Sequence, residues 1–223
     1  KDIAYFPYAW LDEKDIKNLP KPFFIWEIHP DCPIGFESKE EDQLTNIIKL
    51  PDSFDKLKLD NDLRKDLKRV EKKNADIRLV YNEKDALDKS KKWFVELWKE
   101  DKKDLERRIK IWKEKCYTMS AYLNDELIAV HIAMKNEQKN TIYYMGCWWN
   151  RKYKSLSIPT FLLKKDIETA IKDGMKYYDL EVGDQPYKKK WGVLQKPTKY
   201  YAVLTQSLAK ALEVDEYVEM NEK

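Results

Sequence analysis

The period of the hydrophobic pattern changes twice along this chain, and these changes limit the fold more than any other feature. Apolar and polar residues alternate over Tyr117–Leu123, 126–135 and Thr141–Trp149, with polar turns at 124–125 and 136–140. A period of two is typical of β-strands, and turns this short join antiparallel neighbours. The pattern therefore predicts three consecutive antiparallel strands.

Helical periodicity lies on both sides of this meander. Upstream of it the pattern predicts three helices and one short strand, over 53–73, 77–81 (the strand), 87–97 and 105–112. Downstream, Pro159 stands where a first-turn proline belongs and Gly174 where a helix ends, before a strand at Tyr177–Val182. A strand, a crossover helix and a strand make a right-handed connection between parallel neighbours. We therefore expect an α/β (α+β) fold with a mixed sheet.

The two ends of the chain are patterned less regularly. The first fifty residues form a lead-in of short aromatic segments broken by prolines, and the end of the chain predicts a strand at 200–205 and a short helix at 207–212. At roughly 150 residues per domain, 223 residues suit one large domain with a small appendage. We expect a lead-in segment at 1–50, a remnant of the main domain or packed on it, and the main domain at 51–223.

Composition narrows the class of protein. With 43% apolar and 13% aromatic residues the chain is not globally disordered. Its 43 basic residues against 40 acidic ones give a net charge of only +3, unlike the strongly basic domains that neutralise many phosphates. Composition thus permits a nucleic-acid partner without indicating one.

Cysteine usage and hydrophobic runs point to a reducing, cytoplasmic setting. Cys32, Cys116 and Cys147 are odd in number and widely spaced, so they form no disulfide framework. His29 and Cys32 have the spacing of a metal pair, but no second pair completes a site, so no metal is predicted. The apolar runs fall far short of the roughly 20 residues that span a bilayer.

Three local motifs sharpen the interpretation. They are the segments 63–72 (LRKDLKRVEK), 125–129 (DELIA) and 178–191 (YDLEVGDQPYKKKW). With the predicted order of elements they resemble the GNAT acyltransferases, in the BioF2-like branch related to FemAB and FemX. The resemblance covers about residues 50–206. Its most specific part is Gly183-Asp184-x-x-Tyr187-Lys188.

The resemblance implies an N-acyltransferase, in which an acyl group passes from an activated donor to an amine. The implied donor is acetyl-CoA or another acyl-CoA thioester. Alternatives are an aminoacyl-tRNA, as in FemX-like relatives, and a non-catalytic binding or scaffold module. The donor is expected in the gap where the parallel strands Thr141–Trp149 and Tyr177–Val182 splay apart. The acceptor is expected to be a small-molecule or peptide amine, and relatives suggest cell-envelope or polysaccharide biosynthesis.

Two carboxylates are candidates on the strand Tyr177–Val182. Alternation puts Asp179 and Glu181 on one face of this strand. Glu181 is the candidate catalytic base, and Asp179 is a candidate for binding the acceptor amine. Ion pairs with nearby lysines are the structural alternative.

The loop after this strand supplies further candidates, because the carboxyl edge of a sheet usually presents ligand-contacting groups. A tyrosine hydroxyl can protonate a leaving group and a lysine can pair with phosphate or carboxylate, so Tyr187 and Lys188 are candidate catalytic residues. Asp184 is a candidate substrate contact. The alternatives are a packing role for Tyr187 and a solvated lysine run at 188–190.

Four residues are candidates for donor binding. Gly146 permits close approach of a ligand to the backbone or marks a bulge, and Tyr144 is predicted on the same strand face. Ser157 and Thr160 precede or begin the crossover helix, whose N-terminus favours phosphate. The residues from 150 to 160 contain no glycine, unlike the phosphate loops of CoA-binding relatives, and Thr160 stands where those relatives have one.

Trp148 and His131 complete the candidates for substrate binding. Trp148 is predicted to share a face with Tyr144 and Gly146 and to wall an acceptor pocket, the alternative being a core aromatic. His131 is predicted on the strand face of Leu127, Ala129 and Ala133, where a lone histidine is more often packed and hydrogen-bonded than a general base.

Overall fold

The computed structural model describes residues 4–7, 21–28, 39–98, 102–204, 206–211 and 218–219. The chain divides into two compact units. The first comprises 1–46, 182–184 and 195–223, and the second comprises 47–181 and 185–194. The division at residue 50 stays a prediction.

Strands and helices are numbered in chain order. The strands are β1 (Ala4–Pro7), β2 (Phe23–Ile28), β3 (Lys39–Lys49), β4 (Arg78–Tyr81), β5 (Tyr117–Leu123), β6 (Glu126–Asn136), β7 (Thr141–Trp149), β8 (Tyr177–Val182), β9 (Leu194–Leu204) and β10 (Val218–Glu219). The helices are α1 (Asn61–Lys73), α2 (Asp85–Trp98), α3 (Lys102–Lys115), α4 (Ile158–Lys172), α5 (Pro186–Lys189) and α6 (Gln206–Ala211), with 3₁₀ turns at Phe54–Lys56 and Arg151–Leu156. No helix in the described segments is long and apolar enough to cross a membrane.

The second unit contains the predicted mixed sheet. Its strands lie in the order β8-β7-β6-β5-β4. The neighbours from β4 to β7 are antiparallel, and β8 is parallel to β7 through the crossover helix α4. The predicted meander, crossover helix and parallel strand pair of the GNAT-like fold are thus confirmed.

Local chemistry sets the ends of the two helices that pack on one side of this sheet. Asp60 caps α1, because its carboxylate accepts hydrogen bonds from the backbone N–H groups of Asp62 (2.9 Å) and Leu63 (3.4 Å). Pro159 lies in the first turn of α4, as predicted. Beyond its last residue, Gly174 takes the left-handed conformation (φ +75°) that ends many helices.

Two helix layers cover the two faces of this sheet. On one face α1 and α4 bring Leu63, Leu67, Leu163 and Ile167 onto the strands. On the other, α2 and α3 enclose an aromatic cluster with Phe94, Trp112 and Trp148. The helical spacing that predicted these elements is therefore the spacing of the residues they bury.

A β-bulge in β7 changes which side chains share a face. Ile132 of β6 pairs with Gly146, but the next residue, Ala133, pairs with Tyr144, which leaves Met145 as the extra residue. Alternation therefore reverses here. Tyr144 packs on the α1/α4 face and Trp148 on the α2/α3 face, so the prediction of one shared face was wrong.

A second bulge separates Leu127 from the strand face predicted for His131. Ala129 pairs with Ala121 and Leu127 with Tyr122, which leaves Ile128 as the extra residue of β6. Leu127 consequently packs with the α2/α3 cluster, whereas Ala129 and Ala133 pack on the α1/α4 face. The predicted grouping of Leu127 with Ala129 and Ala133 was wrong for that reason.

In the first unit, β1 is parallel to β2, β2 is antiparallel to β9, and β10 is parallel to β9. The predicted strand at 200–205 begins earlier, at Leu194. Within this unit the Asn46 side chain donates to the Gly183 carbonyl (2.8 Å) and accepts from Gln195 Nε2 (3.0 Å). β3 begins with the letters KEED, which carry no alternation, so hydrophobic pattern did not predict it.

Candidate active site

The parallel strands β7 and β8 part within the second unit. Their ladder consists of three pairs, Thr141 with Tyr177, Ile142 with Tyr178 and Tyr143 with Asp179. Both strands are described to their ends, at Trp149 and Val182, and they do not pair beyond Tyr143 and Asp179. The expected splayed pair is thus confirmed, and it leaves an opening lined by backbone groups that have no ladder partner in the facing strand.

The bulge of β7 stands at the mouth of this opening. Tyr144 is the first residue beyond the last pair, and Gly146 follows it with φ +139°. A Cβ on Gly146 would meet only Trp148 Nε1 at 3.9 Å, so the backbone conformation, and not space, requires glycine here. Gly146 was predicted either to permit close approach of a ligand or to mark a bulge, and the structure shows that it lies at a bulge.

Glu181, the residue before the last of β8, has a strained conformation. Its φ is +61°, in the left-handed region that non-glycine residues rarely adopt. The Asp179 carboxylate, which is fully buried, accepts a hydrogen bond from the Glu181 backbone N–H at 2.8 Å. Asp179 thus holds the turn that presents Glu181, and strand alternation does not extend to Glu181. Strain of this kind is concentrated at functional sites.

The short helix α5 brings Tyr187 and Lys188 to the same region. Lys188 is only 4% exposed, and its Nζ donates to the Glu181 carbonyl at 3.2 Å. Lys189 and Lys190 are exposed. The alternative prediction of a solvated lysine run at 188–190 therefore holds for these two lysines but not for Lys188.

Backbone contacts fix the segment that follows α5. Trp191 is 1% exposed in the core, and the Asp60 N–H donates to the Lys190 carbonyl at 2.9 Å. Gly192 has φ +68°, and a Cβ there would lie 2.2 Å from the Lys58 carbonyl oxygen. The motif residue Trp191 and its neighbour Gly192 therefore anchor the turn that carries Tyr187 and Lys188.

Two tyrosine hydroxyls at the opening stay protonated at neutral pH. Burial, and then nearby ionisable groups that include Glu181 and Asp166, raise the pKa of Tyr144 well above its usual value. Partial burial and the charge of Glu181 raise the pKa of Tyr187 to about 12. Because Glu181 raises the pKa of both phenols, and Tyr187 raises that of Tyr144, the three residues share one electrostatic environment. The phenols can donate hydrogen bonds there.

The start of α4 has few free amides for a phosphate group. Ser157 takes a left-handed conformation (φ +52°) and its carbonyl accepts from the Thr160 and Phe161 N–H groups, at 3.1 and 3.2 Å. Pro159 has no N–H. Ser157 and Thr160 are both partly exposed. Their donor-binding role stays a prediction.

Trp148 lies in the core. It is 1% exposed, with its ring 4.7 Å from that of Phe94 and 5.2 Å from that of Trp112. The core-aromatic alternative describes this position. Asp184 is exposed and lies in the first unit.

Behind the opening is a polar cluster, which we call the Asp166 cluster: the buried His131, Asp166 and Tyr178 and the partly buried Tyr117. The Asp166 carboxylate accepts from Tyr117 OH (2.8 and 2.9 Å) and from Tyr178 OH (2.5 Å). His131 Nε2 lies 2.9 Å from Asp166 Oδ2 and 3.2 Å from Tyr178 OH. The packed alternative predicted for His131 thus describes its position.

Sequence reasoning named only His131 of this cluster. One signal for Asp166 was available. Leu162, Asp166 and Ala170 follow one another at intervals of four in α4, so a carboxylate stands within the apolar stripe. Tyr117 and Tyr178 look like ordinary strand aromatics, and only the folded sheet shows that their hydroxyls meet.

Within the described part of the chain there is no candidate metal cluster, since no three His, Cys, Asp or Glu side chains there are grouped as metal ligands. Cys116 and Cys147 are buried free thiols. His29 and Cys32 lie outside the described residues.

Known structures resemble this chain in fold. The C-terminal domain (DUF2156) of a protein described as a lysylphosphatidylglycerol synthetase from Agrobacterium fabrum is 13% identical, with a TM-score of 0.63, 95% of this chain and 80% of that chain covered. FemX is 12% identical (TM-score 0.63, coverage 90% and 77%). L-PGS from Bacillus licheniformis is 10% identical (TM-score 0.58, coverage 90% and 73%). At sequence identities this low, the similarity shows a shared fold and nothing more.

The family is established by sequence. A comparison with functionally curated proteins finds no match. The family model for the acetyltransferase (GNAT) domain matches residues 58–189, which include the sheet, the crossover helix and the motif around Lys188. With its splayed strand pair and bulge in place, the chain belongs to the GNAT acetyltransferase-domain family.

Proposed function

We propose that this protein is an N-acyltransferase that moves an acyl group from an activated donor to an amine in the opening between β7 and β8. The observation that carries the proposal is the end of the β7–β8 ladder at Tyr143 and Asp179, directly beside the bulge. Parted strands offer backbone donors to a bound carbonyl group, which is the main requirement of acyl transfer.

The side chains at the opening suit the individual steps. The amine nitrogen attacks the donor carbonyl carbon, the bond from that carbon to sulfur or oxygen breaks, and the proton lost by the amine passes to the Glu181 carboxylate. Lys188 Nζ stabilises the negative charge on the carbonyl oxygen. Tyr187, whose pKa is raised to about 12, supplies a proton to the leaving group.

An acyl-CoA thioester is the donor that the family description favours. An aminoacyl-tRNA is the second candidate, and a specific observation favours it. Pro159 and the occupied N–H groups of Thr160 and Phe161 leave few amides at the start of α4 for a pyrophosphate. The FemX-like motif at 183–188 supports the same alternative. The proposal has three further parts. The chain belongs to the BioF2-like branch, its acceptor comes from cell-envelope or polysaccharide biosynthesis, and the protein is cytoplasmic.

Thermal unfolding with saturating acetyl-CoA or CoA tests the donor. A ligand that binds only the native state stabilises it by about 2.7 kcal/mol at 100 times its Kd, so the thioester proposal expects a higher midpoint. If neither ligand moves the midpoint, retention of alanyl-tRNA at low salt, lost as salt rises, would support the second donor. If neither donor binds, the catalytic proposal fails and the scaffold alternative is favoured.

Variants at the opening test the chemistry. Glu181→Gln and Lys188→Met are each expected to lower kcat about 100-fold or more, the usual effect of losing a general base or an oxyanion donor. Lys189→Met is the matched control, because Lys189 is the exposed neighbour on the same short helix. Equal activity of Lys188→Met and Lys189→Met would contradict the assigned role of Lys188.

A further inference from the structure

The Asp166 cluster joins three strands through one helix. Asp166 lies on α4, and its three partners come from β5 (Tyr117), β6 (His131) and β8 (Tyr178). Asp166 is 1% exposed, and His131 and Tyr178 are fully buried. Every contact of the cluster lies within the second unit.

Such a cluster is a poor way to gain stability alone. Removing a carboxylate from water costs several kcal/mol, and apolar residues of similar volume often serve a core as well or better. In addition, His131 Nδ1 is buried and has no hydrogen-bond partner among the described residues. Nearly all buried polar atoms are paired, so the unpaired Nδ1 adds to the cost of burying this cluster.

The cluster reaches the opening by two routes. Tyr178 pairs with Ile142 immediately before the last pair of the β7–β8 ladder, so its hydroxyl ties β8 to α4 where the strands are about to part. His131 touches the first unpaired residue of β7, because its ring centroid lies 5.2 Å from that of Tyr144 at an angle of 44°.

The contacts also define the orientation of the imidazole. Asp166 Oδ2 accepts from His131 Nε2–H, so the imidazole is held through this nitrogen. A ring held at one edge by a carboxylate offers a fixed face to its neighbour. Tyr144 rests against that face, on the strand that carries the bulge.

We infer that Asp166 is a positioning residue for acyl transfer, acting through His131 to hold Tyr144 at the point where β7 leaves β8. The inference rests on the proposed function. Asp166 and His131 are too deeply buried to touch a substrate, whereas Tyr144 is partly exposed at the opening. A carboxylate that orients a histidine is a recurring arrangement in enzymes; where the histidine ligates a metal, losing the carboxylate typically costs about 10–100-fold in metal affinity or activity, and we expect a similar loss here.

The test compares three variants under steady-state conditions, with acetyl-CoA or alanyl-tRNA as donor, whichever the wild type uses. Asp166→Val removes the acceptor and is expected to lower kcat about 10–100-fold with KM changed less than about threefold. Asp166→Asn keeps an acceptor oxygen, and its kcat is expected to be much closer to that of the wild type. Tyr117→Phe is the matched control, because it removes a hydroxyl from the same carboxylate without touching His131 or Tyr178.

A spectroscopic measurement needs no variant. The ¹⁵N shifts of the His131 imidazole should show the Nε2–H tautomer in the wild-type protein, and Asp166→Val should lose that signature while Tyr117→Phe keeps it. The Nδ1–H tautomer in the wild type would overturn the inference even if Asp166→Val does not fold. Wild-type kcat in Asp166→Val, or an equal loss in Tyr117→Phe, would also overturn it. Absence of turnover in the wild type overturns the proposed function and this inference together, so the two failures are distinguishable.

Discussion

The two faces of the sheet in the second unit are built differently. The face under α2 and α3 centres on stacked aromatic rings, with Phe94, Trp112 and Trp148 at centroid distances of 4.7 to 6.0 Å. The face under α1 and α4 is also apolar, but it encloses the Asp166 cluster and borders the opening between β7 and β8. The difference indicates that the first face mainly supplies stability, whereas the second accepts buried polar groups in order to place a site.

The largest effect should come from the aromatic face. Trp148→Ala removes a ring that is 1% exposed and contacts two others, so the free energy of unfolding should fall by about 3–5 kcal/mol. Urea unfolding followed by circular dichroism measures this. Trp148→Phe, which keeps an aromatic ring, should recover much of the loss. A fall below about 1 kcal/mol for the alanine variant would show that the packing of these rings contributes little to stability.

The next effect belongs to the turn that anchors α5. Gly192→Ala places a Cβ 2.2 Å from the Lys58 carbonyl oxygen, at φ +68°, and should cost about 3 kcal/mol. Gly174→Ala is the matched control, because Gly174 has φ +75° but nothing within 4 Å of its Cβ position. It should therefore lose only about 1 kcal/mol, the cost of the left-handed conformation. Equal losses in urea unfolding would show that close packing at Gly192 does not hold the turn.

A smaller effect is expected within the Asp166 cluster. Tyr178→Phe removes a 2.5 Å hydrogen bond to a buried carboxylate and should lower the free energy of unfolding by about 1.5 kcal/mol. Tyr143→Phe is the control on the neighbouring strand, since Tyr143 is equally buried but lies outside the cluster. A stabilised Tyr178→Phe protein would show that the hydroxyl costs more to bury than its hydrogen bond returns.

Sequence patterns predicted the order of strands and helices in the second unit well, although the two helix layers bury both faces of its strands. Alternation over Tyr117–Leu123 and Thr141–Trp149, and the pair Pro159 and Gly174, match the observed β5, β7 and α4. The pattern failed where backbone geometry changes locally. The bulge before Gly146 puts Tyr144 and Trp148 on opposite faces. Alternation with a period of two cannot predict where one extra residue reverses the faces.

The candidate site was predictable only in part, for a related reason. The motif at 183–188 pointed to Tyr187 and Lys188, and the structure brings both near Glu181. The left-handed Glu181 and the meeting of Tyr117, His131 and Tyr178 on Asp166 depend on long-range packing. Residues far apart in the chain carry no local sign of such contacts.

The smallest effect concerns an ion-pair network between α1 and α4, in which Glu71 is partly exposed and Lys164 is buried. Glu71 of α1 lies 2.7 Å from Lys164 Nζ and 3.0 Å from Lys165 Nζ of α4. Burial alone would raise the pKa of Glu71, but hydrogen bonds and attraction from the two lysines outweigh it, so its pKa falls below 4.5. A carboxylate whose pKa is lowered by folding stabilises the protein above its unfolded pKa, and the contribution disappears as pH falls through the folded pKa.

Glu71→Gln should therefore cost about 0.5 kcal/mol at pH 7, since 38% of the Glu71 side chain is exposed and solvent weakens the pairs. The difference between wild type and variant should shrink below pH 4.5 and in concentrated salt. Urea unfolding at several pH values measures it, and Glu114→Gln, at a surface pair with Lys115, should have almost no effect. A difference that persisted at low pH would mean that shape, and not charge, joins α1 to α4. In that case charge would contribute little to the contact between α1 and α4. The ion-pair network would then differ from the Asp166 cluster only in how deeply its groups are buried.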